Sequence, residues 1–238
     1  MIDLNSKKLK LTNDINNLID QALTAAPQKP RPYLGASIVG SSCERLVQYH
    51  LLSALGDDIA KKEIPGRTMR IFDRGFTYEE KAIRWMKMAG FVFDGHQLGI
   101  DDFNGTFKGH CDGIIVAGPD VGVTYPCLWE CKCLQEKGFN AIKKDGLAKY
   151  SQSYWAQIHL YMAYLELDSC LYTVVNANTM EMLHLSFEKD LNVARQYRQR
   201  VERLLNATKL GELVPRISTD RNYFECKWCG CNKECWGE

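Results

Sequence analysis

Two extended runs, residues 106–117 and 123–133, flank the turn Gly118-Pro119-Asp120, and together they require a β-hairpin in the middle of this chain. Phe107, Cys111, Ile114, Ile115 and Val116 make the first run apolar, and it carries Gly109-His110-Cys111-Asp112-Gly113. The second carries Leu128-Trp129-Glu130-Cys131-Lys132. Side chains on a strand alternate between faces, so Glu130 and Lys132 share one face while Cys131 takes the other. The neighbouring strand brings Asp112 opposite them. Two carboxylates on adjoining strands suit a hard divalent cation, Mg2+ or Mn2+, completed by water and phosphate oxygens. An ammonium beside them orients an attacking water or offsets charge on a phosphorane. The competing reading is a surface hairpin whose Glu and Lys form an exposed ion pair.

The segments on either side add to the pattern. Ser151 to Leu165 has the length and composition of a helix, with Gln157 and Tyr161 one turn apart on one face. An amide and a phenol so placed grip a phosphate or nucleotide; alternatively Tyr161 joins Tyr154, Ile158 and Leu165 in the core. Upstream, Gly75-Phe76-Thr77-Tyr78-Glu79-Glu80 opens an amphipathic helix that ends at Gly90. Glu79 there favours the helix dipole whether or not it has a chemical role. Residues 41–55, 75–89, 151–166 and 188–208 read as helices, and 91–100, 171–176 and 181–187 as strands. The order places a sheet between helices, an α/β or mixed α+β core. Residues 1–34 read as an N-terminal arm, with an amphipathic segment from Ile15 to Ala25 and a stiff linker at Pro27-Gln28-Lys29-Pro30-Arg31-Pro32. Residues 35–238 form one domain.

The succession Gly75-x-x-x-Glu79, Gly109-x-x-Asp112, Glu130-x-Lys132 and Gln157-x-x-x-Tyr161 resembles the four ordered motifs of RecB-like nucleases in the PD-(D/E)XK superfamily. The resemblance covers residues from about 70 to 165. It implies a restriction-endonuclease-like core, metal coordination by Asp112, Glu130 and the Cys131 carbonyl, a catalytic Lys132, and substrate positioning by Gln157 and Tyr161. Many relatives carry histidine at the first motif, where this chain has Glu79. A glutamate is still an oxygen ligand, and His50 and Glu80 are alternatives.

Ten cysteines give the second signal. Cys226-Lys-Trp-Cys229-Gly-Cys231-Asn-Lys-Glu-Cys235 is a C-x2-C-x5-C frame with one extra thiol, and Cys43 stands alone in the first hundred residues. Four thiolates close an iron-sulfur cluster or a structural zinc site. One N-terminal cysteine with this C-terminal triplet resembles the iron-sulfur branch of these nucleases, which includes CRISPR-associated spacer-processing exonucleases and AddB-type helicase-nucleases. The resemblance implies a structural [4Fe-4S] cluster on Cys43, Cys226, Cys229 and Cys235, clamping both ends of the chain to the core. Zinc with Cys231 is the other reading, and disulfides come last. Cys111, Cys127, Cys131, Cys133 and Cys170 lie in apolar strands as small hydrophobes. That cysteine usage without a hydrophobic N-terminal segment indicates a reducing, cytoplasmic setting.

With 45% hydrophobic residues the chain can bury a sizeable core, and no apolar run approaches membrane-spanning length. The net charge of +1 leaves any nucleic-acid surface to local clusters. Lys137, Lys143, Lys144 and Lys149 follow the second strand; Arg67 and Arg70 precede the first motif. Arg195, Arg198, Arg200 and Arg203 share a helix that reads as a solvated face. The expected activity is a metal-dependent DNA exonuclease on single-stranded ends, with 5′ to 3′ polarity suggested by the resemblance alone. A non-catalytic DNA-binding module of a recombination, CRISPR adaptation or viral system, and an iron-sulfur redox protein, are the rivals.

Overall fold

The computed structural model describes residues 4–25, 31–57, 59, 64–95 and 97–237. In chain order the first half contains α1 (Leu4–Ala25), β1 (Leu34–Gly35), α2 (Glu44–Ala54), α3 (Gly66–Met88), β2 (Val92–Phe93), β3 (Gly99–Asp102), β4 (Phe107–His110) and β5 (Gly113–Ala117). The second half contains β6 (Cys127–Leu134), α4 (Glu136–Asp145), α5 (Leu147–Tyr150), α6 (Gln152–Tyr164), β7 (Ser169–Asn176), β8 (Met182–Glu188), α7 (Leu191–Lys209), α8 (Phe224–Lys227) and α9 (Asn232–Trp236). The linker proline residues Pro27 and Pro30 lie outside the described residues.

The mixed α+β architecture expected from the element order is the one observed. A five-stranded sheet runs β2-β5-β6-β7-β8, with β6 and β7 parallel and its other neighbours antiparallel. Residues 127–131 of β6 are buried without alternation because both faces of the strand are covered. On one face Cys127, Trp129 and Cys131 pack with Ala82 and Met86 of α3. On the other, Leu128 packs with Phe139 of α4, Ile158 and Leu160 of α6 and Val201 of α7. This explains why cysteines occupy a core strand: they are small enough to fit beneath a crossing helix. Among the described residues no helix is long and apolar enough to cross a membrane.

Three expectations need correcting. The extended run 106–117 is two strands, not one. β4 belongs to a separate three-stranded sheet, β1-β4-β3, and β5 to the large sheet, so the chain changes sheet at Cys111 and Asp112. The helix expected to open at Gly75 begins nine residues earlier, at Gly66, because α1 lies against its first turns: a Cβ at Gly66 would stand 2.5 Å from Asp20 Cα, and Arg70 pairs with Asp20. Lastly, the strand expected over 91–100 is two short strands, β2 and β3, in different sheets. The α7 arginines are solvated as expected at Arg195, Arg198 and Arg203, with Arg200 half-buried, and three of the four also make ion pairs. Arg198 bonds Asp102 at 2.8 Å, while Arg200 and Arg203 bond Glu44 at 3.1 and 2.6 Å.

Those pairs fasten the periphery. Tyr164 on α6 and Arg198 on α7 both donate to Asp102 of β3, at 2.5 and 2.8 Å, tying the small sheet to the helical layer. Arg200 also donates to the carbonyls of Val39 and Ser41, each at 2.8 Å. Buried Gln48 of α2 donates to Glu212 O at 2.6 Å and accepts from Val214 N at 2.8 Å, so α2 is stitched to the segment that follows α7.

Candidate active site

The acids meet where the chain crosses between sheets. Gly113 pairs with Trp129 in the antiparallel β5–β6 ladder, so continuing that register sets Asp112 across from Glu130. The Asp112 amide donates to Glu130 Oε1 at 3.2 Å, and the Cys131 amide donates to Asp112 Oδ2 at 2.8 Å. Each carboxylate is thus aimed by the backbone of the other's strand. Lys132 Nζ then reaches Glu130 Oε2 at 2.9 Å, the Cys131 carbonyl at 3.0 Å and Asp112 Oδ2 at 3.4 Å. Its ammonium lies among the same three groups that the motif resemblance assigns to a metal ion.

Burial sets the charge states. Glu130 is fully buried, and burial followed by the Asp112 carboxylate lifts its pKa to about 8 against the pull of Lys132. Burial also works against the Lys132 ammonium, but the two carboxylates outweigh it and hold its pKa well above the ordinary value. The lysine therefore stays charged and acts as the resident cation. An all-oxygen donor set that already accommodates a cation fits Mg2+ or Mn2+. Among the described residues no three His, Cys, Asp or Glu side chains stand close enough to hold an ion by themselves. The shell at this site would rest on Asp112, Glu130, the Cys131 carbonyl and Glu79, completed by water and phosphate.

Glu79 faces this centre from α3, accepts from Gln97 Nε2 at 3.2 Å, and lines both arms of a cleft that meet at Asp112. Exposed Glu80 and exposed His50 line neither arm. The smaller arm, about 190 Å³, is walled by Tyr33, Ser37, Lys108, His110, Gln157 and Tyr161. Gln157 Nε2 donates to Tyr161 Oη at 3.2 Å, and burial raises the Tyr161 phenol beyond its ordinary pKa, keeping it a neutral donor. Glycine at position 109 has a steric cause: a Cβ there would fall 2.6 Å from Tyr161 Cε1. At Gly75 a Cβ would meet nothing within 4 Å, so packing does not demand that glycine; it borders open cleft.

The larger arm, about 830 Å³, is lined by Arg31, Phe72, Arg74, Phe76, Lys137, Tyr150 and Tyr154 among others. Of the four lysines after β6, Lys137 is the one on this wall; Lys143 is paired with Glu181 and Lys149 with Asp145. Arg70 is turned to Asp20. Sequence reading missed Phe72 and Phe76, although with Glu79 they fall at i, i+4 and i+7 and so define one helix face. It also missed Arg31, Arg74, Tyr150 and Tyr154, which no short motif marks. Cys133, expected in the core, is half-buried at the cleft, where the charge of Arg74 works against the rise in its thiol pKa that burial causes.

A second cavity, about 270 Å³, is lined by Cys43, Cys226, Cys229 and Cys235 with Tyr49, Arg216 and Trp236. Burial, then the thiols of Cys43, Cys235 and Cys229, raise the Cys226 thiol above its ordinary pKa. Four cysteines from the two ends of the chain thus border one cavity, and thiolates are the donor type that iron-sulfur and zinc sites use, although among the described residues the four do not stand close enough to form a ligand set by themselves. Cys231 is buried and off that wall, its amide donating to Cys229 Sγ at 3.4 Å.

The mixed sheet between helical layers is shared with solved structures that include an exonuclease. An alkaline exonuclease (LHK-Exo) from Laribacter hongkongensis superposes with a TM-score of 0.53 at 16% identity, covering 76% of this chain and 90% of that one. The same protein in complex with dAMP gives 0.54 at 17% identity, covering 86% and 95%. SSO0001 gives 0.50 at 13% identity, covering 91% and 93%. No family model matches the sequence, and no curated protein sequence matches it.

Proposed function

We propose that this chain is a metal-dependent DNA exonuclease of the PD-(D/E)XK type, acting on single-stranded ends, with residues 35–238 as the nuclease unit and 1–34 as its arm. The observation that carries the reading is the convergence of Asp112, Glu130, the Cys131 carbonyl and Lys132 at the meeting point of a two-armed cleft. The shared fold of LHK-Exo, an alkaline exonuclease solved with dAMP, is consistent with it.

Asp112, Glu130, the Cys131 carbonyl and Glu79 would hold a divalent ion, which would supply Lewis acidity to the reaction. The chain's own groups do the rest. Lys132, kept charged by its carboxylates, offsets negative charge that develops on the phosphate. Gln157 and Tyr161 present an amide and a phenolic donor in the smaller arm. Arg31, Arg74 and Lys137 meet backbone phosphates in the larger arm, where Phe72, Phe76, Tyr150 and Tyr154 stack on bases freed from a duplex. That combination favours single-stranded DNA; 5′ to 3′ polarity rests on the motif resemblance. The thiols of Cys43, Cys226, Cys229 and Cys235 would hold a structural [4Fe-4S] cluster, a reading that rests on the cysteine resemblance.

The test is end-labelled single- and double-stranded DNA incubated with Mg2+ or Mn2+, with and without EDTA. Stepwise release of nucleotides, faster on single strands and abolished by EDTA, is expected, and Lys132→Ala should cut the rate at least about 100-fold while circular dichroism stays native. Intact DNA under every metal condition, or a fully active Lys132→Ala enzyme, overturns the assignment.

A further inference from the structure

Outside the cleft, the most unusual surface lies on the cysteine-bearing segment. α8 buries only Cys226, yet Phe224 is 65% and Trp228 82% exposed. Four residues apart, they lie on the same side of the helix. Single exposed apolar residues are ordinary; Trp228 also borders the thiol cavity along one side, whereas Phe224 does not, so the cavity gives no reason for Phe224 to be exposed. Tyr223 supports Phe224, the two ring centroids 5.1 Å apart. Lys227 Nζ stands 5.7 Å from the Trp228 ring centroid.

Charge and position narrow the occupant. The neighbouring acid, Glu225, is turned away to accept from Ser42 Oγ, which leaves Lys227 as the ion beside the rings. That contact also anchors α8 to the stretch leading from the smaller arm of the cleft. Ser37 lines that arm and Cys43 lines the thiol cavity. Six residues of chain span at most about 20 Å. Arg216, Arg221, Lys227 and Lys233 are nearly balanced by Asp220, Glu225 and Glu234, so the segment lacks the cationic excess of a duplex-binding surface. Exposed rings with one flanking cation match unstacked bases on an anionic backbone.

We propose that Phe224 and Trp228 form a stacking platform for bases of single-stranded DNA beyond the catalytic cleft, with Lys227 meeting an adjacent phosphate. The site rests on the nuclease reading for its ligand and extends it by a second contact along the strand. Stacking supplies most of its affinity, so its dependence on salt is shallow.

The test uses the full-length protein in EDTA, so that nothing is cut, with fluorescence anisotropy of oligothymidines of about 5 and about 20 nucleotides, bracketing a single-strand site. The Phe224→Ala/Trp228→Ala double variant should bind the long strand at least about tenfold more weakly than wild type. Its affinity for the short strand should be unchanged, and Phe224→Ala alone, which leaves the thiol cavity wall intact, should weaken long-strand binding in the same direction with melting temperature and metal content unchanged. Trp228→Phe should keep the long-strand affinity within a few-fold while losing the quench of tryptophan emission on binding. A double variant that binds both lengths like wild type overturns the platform alone and leaves the nuclease reading standing. A wild-type protein that binds neither length overturns both. Equal losses on short and long strands show a general structural effect and also reject the platform.

Discussion

Lys132 occupies oxygens that a divalent ion would use, so the two cations compete for one set of ligands. Removing the ammonium leaves two carboxylates facing each other in a buried site, a costly arrangement that an added cation relieves. In Lys132→Met, Mg2+ or Mn2+ should therefore raise the melting temperature by more than it does in wild type. Equal shifts would show that lysine and metal do not share the site. The pairing of Glu130 with Lys132 was legible from the sequence because strand alternation needs nothing beyond position along the chain. The placing of Asp112 at a change of sheet was not. It depends on β4 finding β1 and β3, remote partners that local patterning does not register. Gly109 was noticed as part of a motif, but its cause, the edge of Tyr161, exists only once α6 is packed.

Helices and strands were largely legible as elements and less so at their limits. α6 and α7 start within three residues of where the sequence reading put them, and the structure shows why: Ser151 accepts from Tyr154 N at 3.3 Å, and Asp190 accepts from Asn192 N at 2.8 Å. α3 extends back to Gly66 because α1 covers its first turns, a tertiary effect. α4 and α5, which carry one wall of the cleft, were not assigned. The α7 arginines show a related limit: three of them are solvated as their run of like charges suggests, but the acidic partners come from other elements and were not legible. Arg200 spans Val39, Ser41 and Glu44. Arg200→Ala should cost about 2–3 kcal/mol in urea unfolding. Arg195, whose one side-chain bond is to Asn192 at 3.4 Å, should tolerate alanine within about 0.5 kcal/mol. Equal costs would mean that α2 is not held by α7.

At the scale of the whole molecule, the thiol cavity joins a helix near the start of the chain to a segment near its end. If metal binding there contributes to folding, Cys226→Ser should bleach the purified protein, lower its iron content and reduce its melting temperature, by about 2–4 °C for each kcal/mol lost at this size. A colourless wild-type protein with stoichiometric zinc would reject the cluster. The cysteine spacing was legible in sequence; that those four cysteines border one cavity required the fold. The same closure has a bearing on biosynthesis. Ser42 and its partner Glu225 are separated by 183 positions, and Gln48 waits on Val214. At translation speeds of about 5–20 residues per second, α2 leaves the ribosome roughly ten to forty seconds before those partners exist. Cys43 therefore spends that interval in a nascent chain without its companions, and any metal held by all four thiols would be bound only after residue 235 has been made.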